Sequence, residues 1–362
     1  MAGRRTVDGM TQIVDWDLAV STAGALGRTG PSVTFAEAAE VVTELRRLTD
    51  VAEEHVTAYT GLTPLVAHPP VRVVDRRDWA AVNVEGLRHV ITPVAAQLGA
   101  ESSNAVVRAV GAKATGVQAG SVLAYLSGKV LGQYEVFSGD PGQLMLVAPN
   151  IADAERKLDV DPTDFRLWVV LHEVTHRTQF TAVPWLREHF LAEVAAFVNA
   201  ADLDPEALAD RLRRAVSALA DAARDPRSRT SVIDLVQTPA QRAVLDRLTA
   251  LMTLVEGHAE FVMDGVGPDV VPSVVTIRAR FDARRAPGNP LEKVLRRLLG
   301  IDVKMRQYAE GNRFVAAVVG KLGMAGFNEI WTSPETLPRL AELTDPDAWI
   351  ERVHGRAAVT GR

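Results

Sequence analysis

The pentad His172-Glu173-Val174-Thr175-His176 constrains this chain more than any other feature. It lies inside the apolar run FRLWVVLHEVTHRTQF, Phe165 to Phe180, which predicts a helix. Residues four apart share a helix face, so His172 and His176 can reach one metal ion together. Glu173 is then placed to take a proton from a metal-bound water. With 8 His and 21 Glu among 362 residues, chance supplies roughly 0.01 such H-E-x-x-H pentads. The competing reading is a pair of structural histidines on a core helix. Arg177 also complicates the metal reading, because strict zinc-protease patterns carry an uncharged residue after the second His. Trp168 and Val169, one turn before His172, and Gln179, one turn after His176, place the pentad in a buried face.

A catalytic zinc ion needs three protein ligands and an open position for water, so two histidines are not enough. The best source of a third is the apolar stretch Leu254-Val255-Glu256-Gly257-His258-Ala259-Glu260-Phe261-Val262. Glu256 and Glu260 share one helix face there, and buried carboxylates need a partner. His258 lies about 200° around the helix from Glu256, so only one of the two faces the metal. Glu256 is the preferred ligand, because Gly257 after it lets another backbone approach closely. Glu260 or Asp264, further along the helix, is then available to hold an imidazole N–H from behind. Two alternatives stay open: His258 as the ligand, or Glu256 and Glu260 paired with arginines.

Composition narrows the chemistry. The chain has no Cys, which removes disulfides, thiol catalysis and Cys-based zinc sites. Net charge is −5 with no basic block, which argues against nucleic acid as a partner. No window of 18 uninterrupted apolar residues appears, so no membrane span is expected. Arg4-Arg5 is not followed by an apolar stretch, so no signal peptide is expected either, and the expected location is the cytoplasm. In Ala105 to Leu131, Gly116 and Gly120 form a small-xxx-small pair, read as close helix packing in a soluble core.

The hydrophobic pattern is mostly helical. Helices are predicted over Met10 to Leu26, Phe35 to Tyr59 (opened by the capping box Thr34/Glu37), Trp79 to Leu98 and Ala105 to Leu131. Val71 to Val74 reads as a short strand. Gln133 to Phe137 and Gln143 to Val147, separated by Ser138-Gly139-Asp140-Pro141-Gly142, read as a β-hairpin. Asn150 or Asp153 is expected to cap the next helix, and Asp161 or Thr163 the pentad helix. Further helices are predicted over Trp185 to Ala200, Pro205 to Ala223, Pro239 to Met263, Val274 to Arg285, Pro290 to Val319 and Pro346 to Val353. The Arg-rich faces of Val274 to Arg285 and Pro290 to Val319 read as solvated surface. The fold class is therefore mainly α with a small β-hairpin or sheet, an α+β arrangement. Three regions are expected in one compact unit: helical residues 1–130, a catalytic region 131–330 and a tail 331–362.

Three stretches resemble a known family: Leu131-Gly132-Gln133-Tyr134-Glu135-Val136-Phe137, then Leu146-Val147-Ala148-Pro149-Asn150-Ile151, then Phe165 through Trp185. They are similar to zincin-like hydrolases described as zinc-dependent metalloproteases, one branch of which is labelled coenzyme F-420 biosynthesis-associated. The resemblance runs from about Asp15 into the 330s and implies a zincin-like fold. It implies Zn²⁺ as cofactor and a peptide or protein as substrate. Glu256-Gly257-x-Ala259-Glu260 is similar to the E-G-x-A helix of glutamate-type zincins, which implies Glu256 as third ligand beside His172 and His176, with Glu173 as general base. A zinc peptidase lays its substrate along an edge strand, and Gln143 to Val147 is the expected one. Tyr134 and Tyr308 are candidate oxyanion donors. A rival expectation is a non-catalytic zincin-like binding or scaffold protein, with the metal closed in by His258 or Glu260. A role in coenzyme F-420 metabolism would show as thermal stabilisation by that coenzyme.

Overall fold

Thr34 opens a long helix by satisfying backbone donors that a helix start leaves unpaired. Its hydroxyl accepts from Glu37 N–H, and the Glu37 carboxylate accepts from Thr34 N–H. A computed structural model describes the chain over residues 13–67, 69–98, 105–200, 239–285 and 301–355. Its helices are α1 (Trp16–Leu26), α2 (Phe35–Thr60), α3 (Arg76–Leu98), α4 (Ala105–Ser127), α5 (Ala148–Leu158), α6 (Pro162–Ala182), α7 (Leu186–Asn199), α8 (Pro239–Gly265), α9 (Val274–Arg285), α10 (Ile301–Phe327) and α11 (Pro346–His354). Three strands, β1 (Arg72–Val74), β2 (Gly132–Glu135) and β3 (Gln143–Val147), form one small sheet. The fold is thus mainly α with a small sheet, as the hydrophobic pattern predicts. The predicted helix over Pro205 to Ala223 and the start of the one from Pro290 lie outside the described residues, as do Met10 to Gln12.

The sheet order is β1-β3-β2. β3 pairs in parallel with β1 and antiparallel with β2. This corrects the expected role of Gln143 to Val147. That strand is central and buried, its backbone engaged on both sides, and β2 is the edge instead. The cap expected at Asn150 is also absent. α5 starts at Ala148, and the Asn150 amide donates to the carbonyls of Ser127 and Val130 and accepts from Arg76. Asn150 therefore ties the α4–β2 connection to α3. Asp161 does cap α6, accepting from Asp164 N–H at 2.9 Å.

α6 is the pivot of the core. It is buried on nearly all sides, packing between α2 and α8 with β2 and β3 against it. A helix that is apolar all round belongs inside a protein, and its polar residues are then inside as well. Thr175 and Thr181 manage this by donating back to the carbonyls of Leu171 and Arg177. α4 crosses α1 closely at Gly116 and Gly120, where an added Cβ would meet the backbone of Asp15 and Ala19. No described helix is long and apolar enough to cross a membrane.

α8 carries Glu256 and is pressed onto α10. A Cβ on Gly257 would lie 2.2 Å from the carbonyl carbon of Gly311. The two helices touch backbone to backbone there, as expected for the glycine beside the candidate ligand. Gly257→Val should therefore lower stability by about 1–3 kcal/mol, the usual cost of overpacking. Denaturant midpoints compared with wild type check this, and an unchanged midpoint would show that the crossing has slack.

Candidate metal centre

His172 and His176 project from the same face of α6, and Glu256 from α8 faces them. His172 Nε2 and His176 Nε2 are 3.1 Å apart, and Glu256 Oε2 lies 3.6 and 3.5 Å from them. Donors held about 2.0–2.2 Å from a tetrahedral ion stand about 3.3–3.6 Å from one another. The triangle has the size that a shared zinc-type cation requires. Two imidazoles and one carboxylate are also the donor types that borderline-soft divalent metals favour. Among the described residues no other His, Cys, Asp or Glu joins this group. The donor set therefore fits a zinc ion with one position left for water.

The electrostatics point the same way. Burial alone would push the proton off His176, but the Glu256 carboxylate, helped by Glu173 and by Gln179, outweighs it and raises the pKa. The pocket thus favours positive charge between these side chains, whether a proton or a metal supplies it.

The remaining candidates separate by helix face. His258 is fully buried behind the site, its ring against Phe327 and Trp331, and its Nδ1 accepts from the Gln179 amide at 2.9 Å. Burial holds its pKa down at about 3, so it is neutral. It does not join the donor triangle. Glu260 and Asp264 do not brace an imidazole as expected. Both carboxylates instead take the Arg278 guanidinium, at 3.3 and 2.5 Å. Arg278 also lies over the Trp168 ring, so this residue of the Arg-rich α9 face is half-buried and engaged with the core rather than free in solvent. The expected arginine pairing of α8 carboxylates thus holds for Glu260, while Glu256 turns to the histidines.

Arg177 leaves the helix on the far side. It is 3% exposed and bonds Glu53 of α2 at 2.7 Å, away from the two histidines. Its charge after the second His is a structural tie between α6 and α2. Tyr134 lines the cleft, stacks on Phe180 and donates its hydroxyl to the Pro141 carbonyl at 2.8 Å. Burial pushes its pKa up to about 12, so it stays protonated. Tyr308 lies in α10, with its side chain outside the described residues.

Two residues that the sequence did not assign shape the site. Gly132, the first residue of β2, lies directly against Glu173. An added Cβ would sit 2.6 Å from Glu173 Cγ and 2.9 Å from its Oε1. The absent side chain lets the edge strand run alongside the pentad. Gln179, fully buried one turn after His176, accepts from His176 Nδ1 at 3.0 Å. Neither contact has a local sequence signal beyond the residues' nearness to the motif.

These residues open into a cleft of about 980 Å³ between α3 and α4 on one side and α6, α8 and α9 on the other. Its walls are largely apolar, with Leu126, Val130, Phe137, Phe190 and Phe281 among them. On the edge strand, Gln133 and Asn83 exchange two amide hydrogen bonds, at 3.0 and 3.1 Å.

Comparison with known proteins agrees with this geometry. The family model for zincin-like metallopeptidases matches residues 14–350. A crystal structure from Chloroflexus aurantiacus, described as a candidate hydrolase with a novel fold, is similar at 30% identity and a TM-score of 0.69. The likeness covers 94% of this chain and 99% of that one. Among curated proteins no significant match is found. With the H-E-x-x-H helix, the facing glutamate and the family match spanning nearly its whole length, the chain belongs to the zincin-like metallopeptidase family.

Proposed function

We propose that this protein is a zinc-dependent hydrolase of the peptidase type. The observation that carries the reading is the donor triangle of His172, His176 and Glu256, which lines a cleft together with Glu173. In this reading the three residues hold Zn²⁺, which when bound acidifies a water and polarises the scissile carbonyl. Glu173 would accept a proton from the attacking water as the water's oxygen bonds to the carbonyl carbon, and would return it to the leaving amine as the C–N bond breaks. β2 offers its outer backbone edge to an extended peptide, and Gly132 keeps that peptide close to Glu173. The apolar cleft walls exclude bulk water, which strengthens the interaction between Glu173 and the proton it moves. Tyr134 is tied to Pro141 and serves the hairpin wall, so no oxyanion donor is assigned.

Three converging donors, with no fourth among the described residues, support turnover over the rival role of a non-catalytic binding protein. The test is hydrolysis of a mixed peptide library by the zinc-loaded protein, followed by mass spectrometry. Cleavage that a chelator abolishes and zinc restores is the expected result. Stoichiometric zinc without any cleavage, of peptides or of other amides and esters, would favour the scaffold. Gly132→Ala should keep the metal but displace Glu173, and a misplacement near 1 Å costs up to about 10²-fold in rate. Full activity in that variant would show that β2 does not confine the base.

A further inference from the structure

We propose that Gln179 is the positioning residue of this centre, fixing which nitrogen His176 presents to the metal while tying the two ligand-bearing helices together. The inference rests on the zinc reading above and adds to it. Gln179 sits on α6, one turn past His176, with no exposed surface. Its amide orientation follows from a neighbour that has no choice. The Val255 carbonyl can only accept, and Gln179 Nε2 lies 3.0 Å from it. The same NH₂ group donates to His258 Nδ1 at 2.9 Å. The amide oxygen must then face His176 Nδ1, 3.0 Å away, which has to carry a proton. A neutral His176 is left with its lone pair on Nε2, the nitrogen turned towards His172 Nε2 and Glu256 Oε2.

Val255 immediately precedes Glu256. One buried amide therefore sets the tautomer of an α6 ligand and anchors α8 beside its carboxylate ligand. His172 has no comparable brace, since its Nδ1 is buried without a hydrogen-bond partner among the described residues. His258, outside the donor triangle, accepts the second amide hydrogen at Nδ1, while its Nε2 has no hydrogen-bond partner among the described residues.

The test uses zinc itself, measured by competition with a chromophoric chelator. Gln179→Leu, similar in volume but without the amide, should weaken zinc binding by about 10–100-fold, the usual effect of losing a ligand's supporting hydrogen bond. A direct readout needs no variant. In zinc-loaded wild type labelled with ¹⁵N-histidine, His176 should show a protonated, slowly exchanging Nδ1 and a metal-bound Nε2. The reverse pattern would overturn the inference even if Gln179→Leu fails to fold. Equal zinc affinity of Gln179→Leu and wild type would overturn this inference alone. A wild type that binds no zinc would overturn it together with the hydrolase reading.

Discussion

Glu173→Gln should leave zinc in place and cut hydrolysis by about 10²–10⁴-fold, the range that a positioned general base contributes. The change keeps the side chain's size, which matters because Glu173 is packed against Gly132 with no room for an added Cβ. It removes the carboxylate that accepts the proton from water. Glu173 is not one of the three converging donors, so metal content should be unaffected. Parallel measurement of bound zinc and of peptide cleavage separates the two effects. Loss of both together would mean that Glu173 acts on the metal, and retention of both would remove it from the reaction.

The second large effect concerns Glu256. Glu256→Gln preserves shape and removes the charge that faces both imidazoles. Zinc sites bind with about 10–16 kcal/mol in small folded peptides, so one ligand of four accounts for about 3–4 kcal/mol. That corresponds to a loss of roughly two to three orders of magnitude in affinity. The variant should fold, because the Gly257–Gly311 crossing and the surrounding apolar contacts of α8 are untouched. Chelator competition reads the loss, and thermal denaturation without metal checks the fold. A variant that holds zinc like wild type would return the third-ligand role to another residue.

Much of this site is legible in the sequence because its strongest signal is local. Two histidines four apart on an apolar helix need only helix geometry to converge, and the structure brings them to 3.1 Å. Glu256 lies 80 residues beyond His176, yet a carboxylate followed by glycine in an apolar helix marks a close approach, and Gly257 makes one. Helix periodicity also separates Glu256 from His258, which stays outside the donor triangle but still meets α6 through Gln179. The capping box at Thr34 and the cap at Asp161 are local as well, and both form as read.

What the sequence did not disclose depends on distant partners. The hairpin is visible from its turn residues, but β3 becomes central only because β1 joins it in parallel from 73 residues upstream, with Val73 opposite Leu146 and Val74 opposite Val147. No local pattern states that pairing, so the sequence alone points to β3 as the free edge, where the structure has it central. Glu260 and Asp264 appear suited to brace an imidazole until Arg278 arrives from α9 and takes both. Asn150 has the residue type of a helix cap, but Arg76 and two carbonyls before β2 and on α4 claim its amide. The brace of His176 falls instead to Gln179, whose orientation depends on a carbonyl from α8.

Zinc content of the purified wild-type protein, measured by elemental analysis alongside Glu256→Gln, tests the central claim most directly. One zinc per chain in wild type, and little or none in the variant, is the predicted result. A wild type that carries no zinc after incubation with the metal, and shows no thermal stabilisation on adding it, would contradict the account.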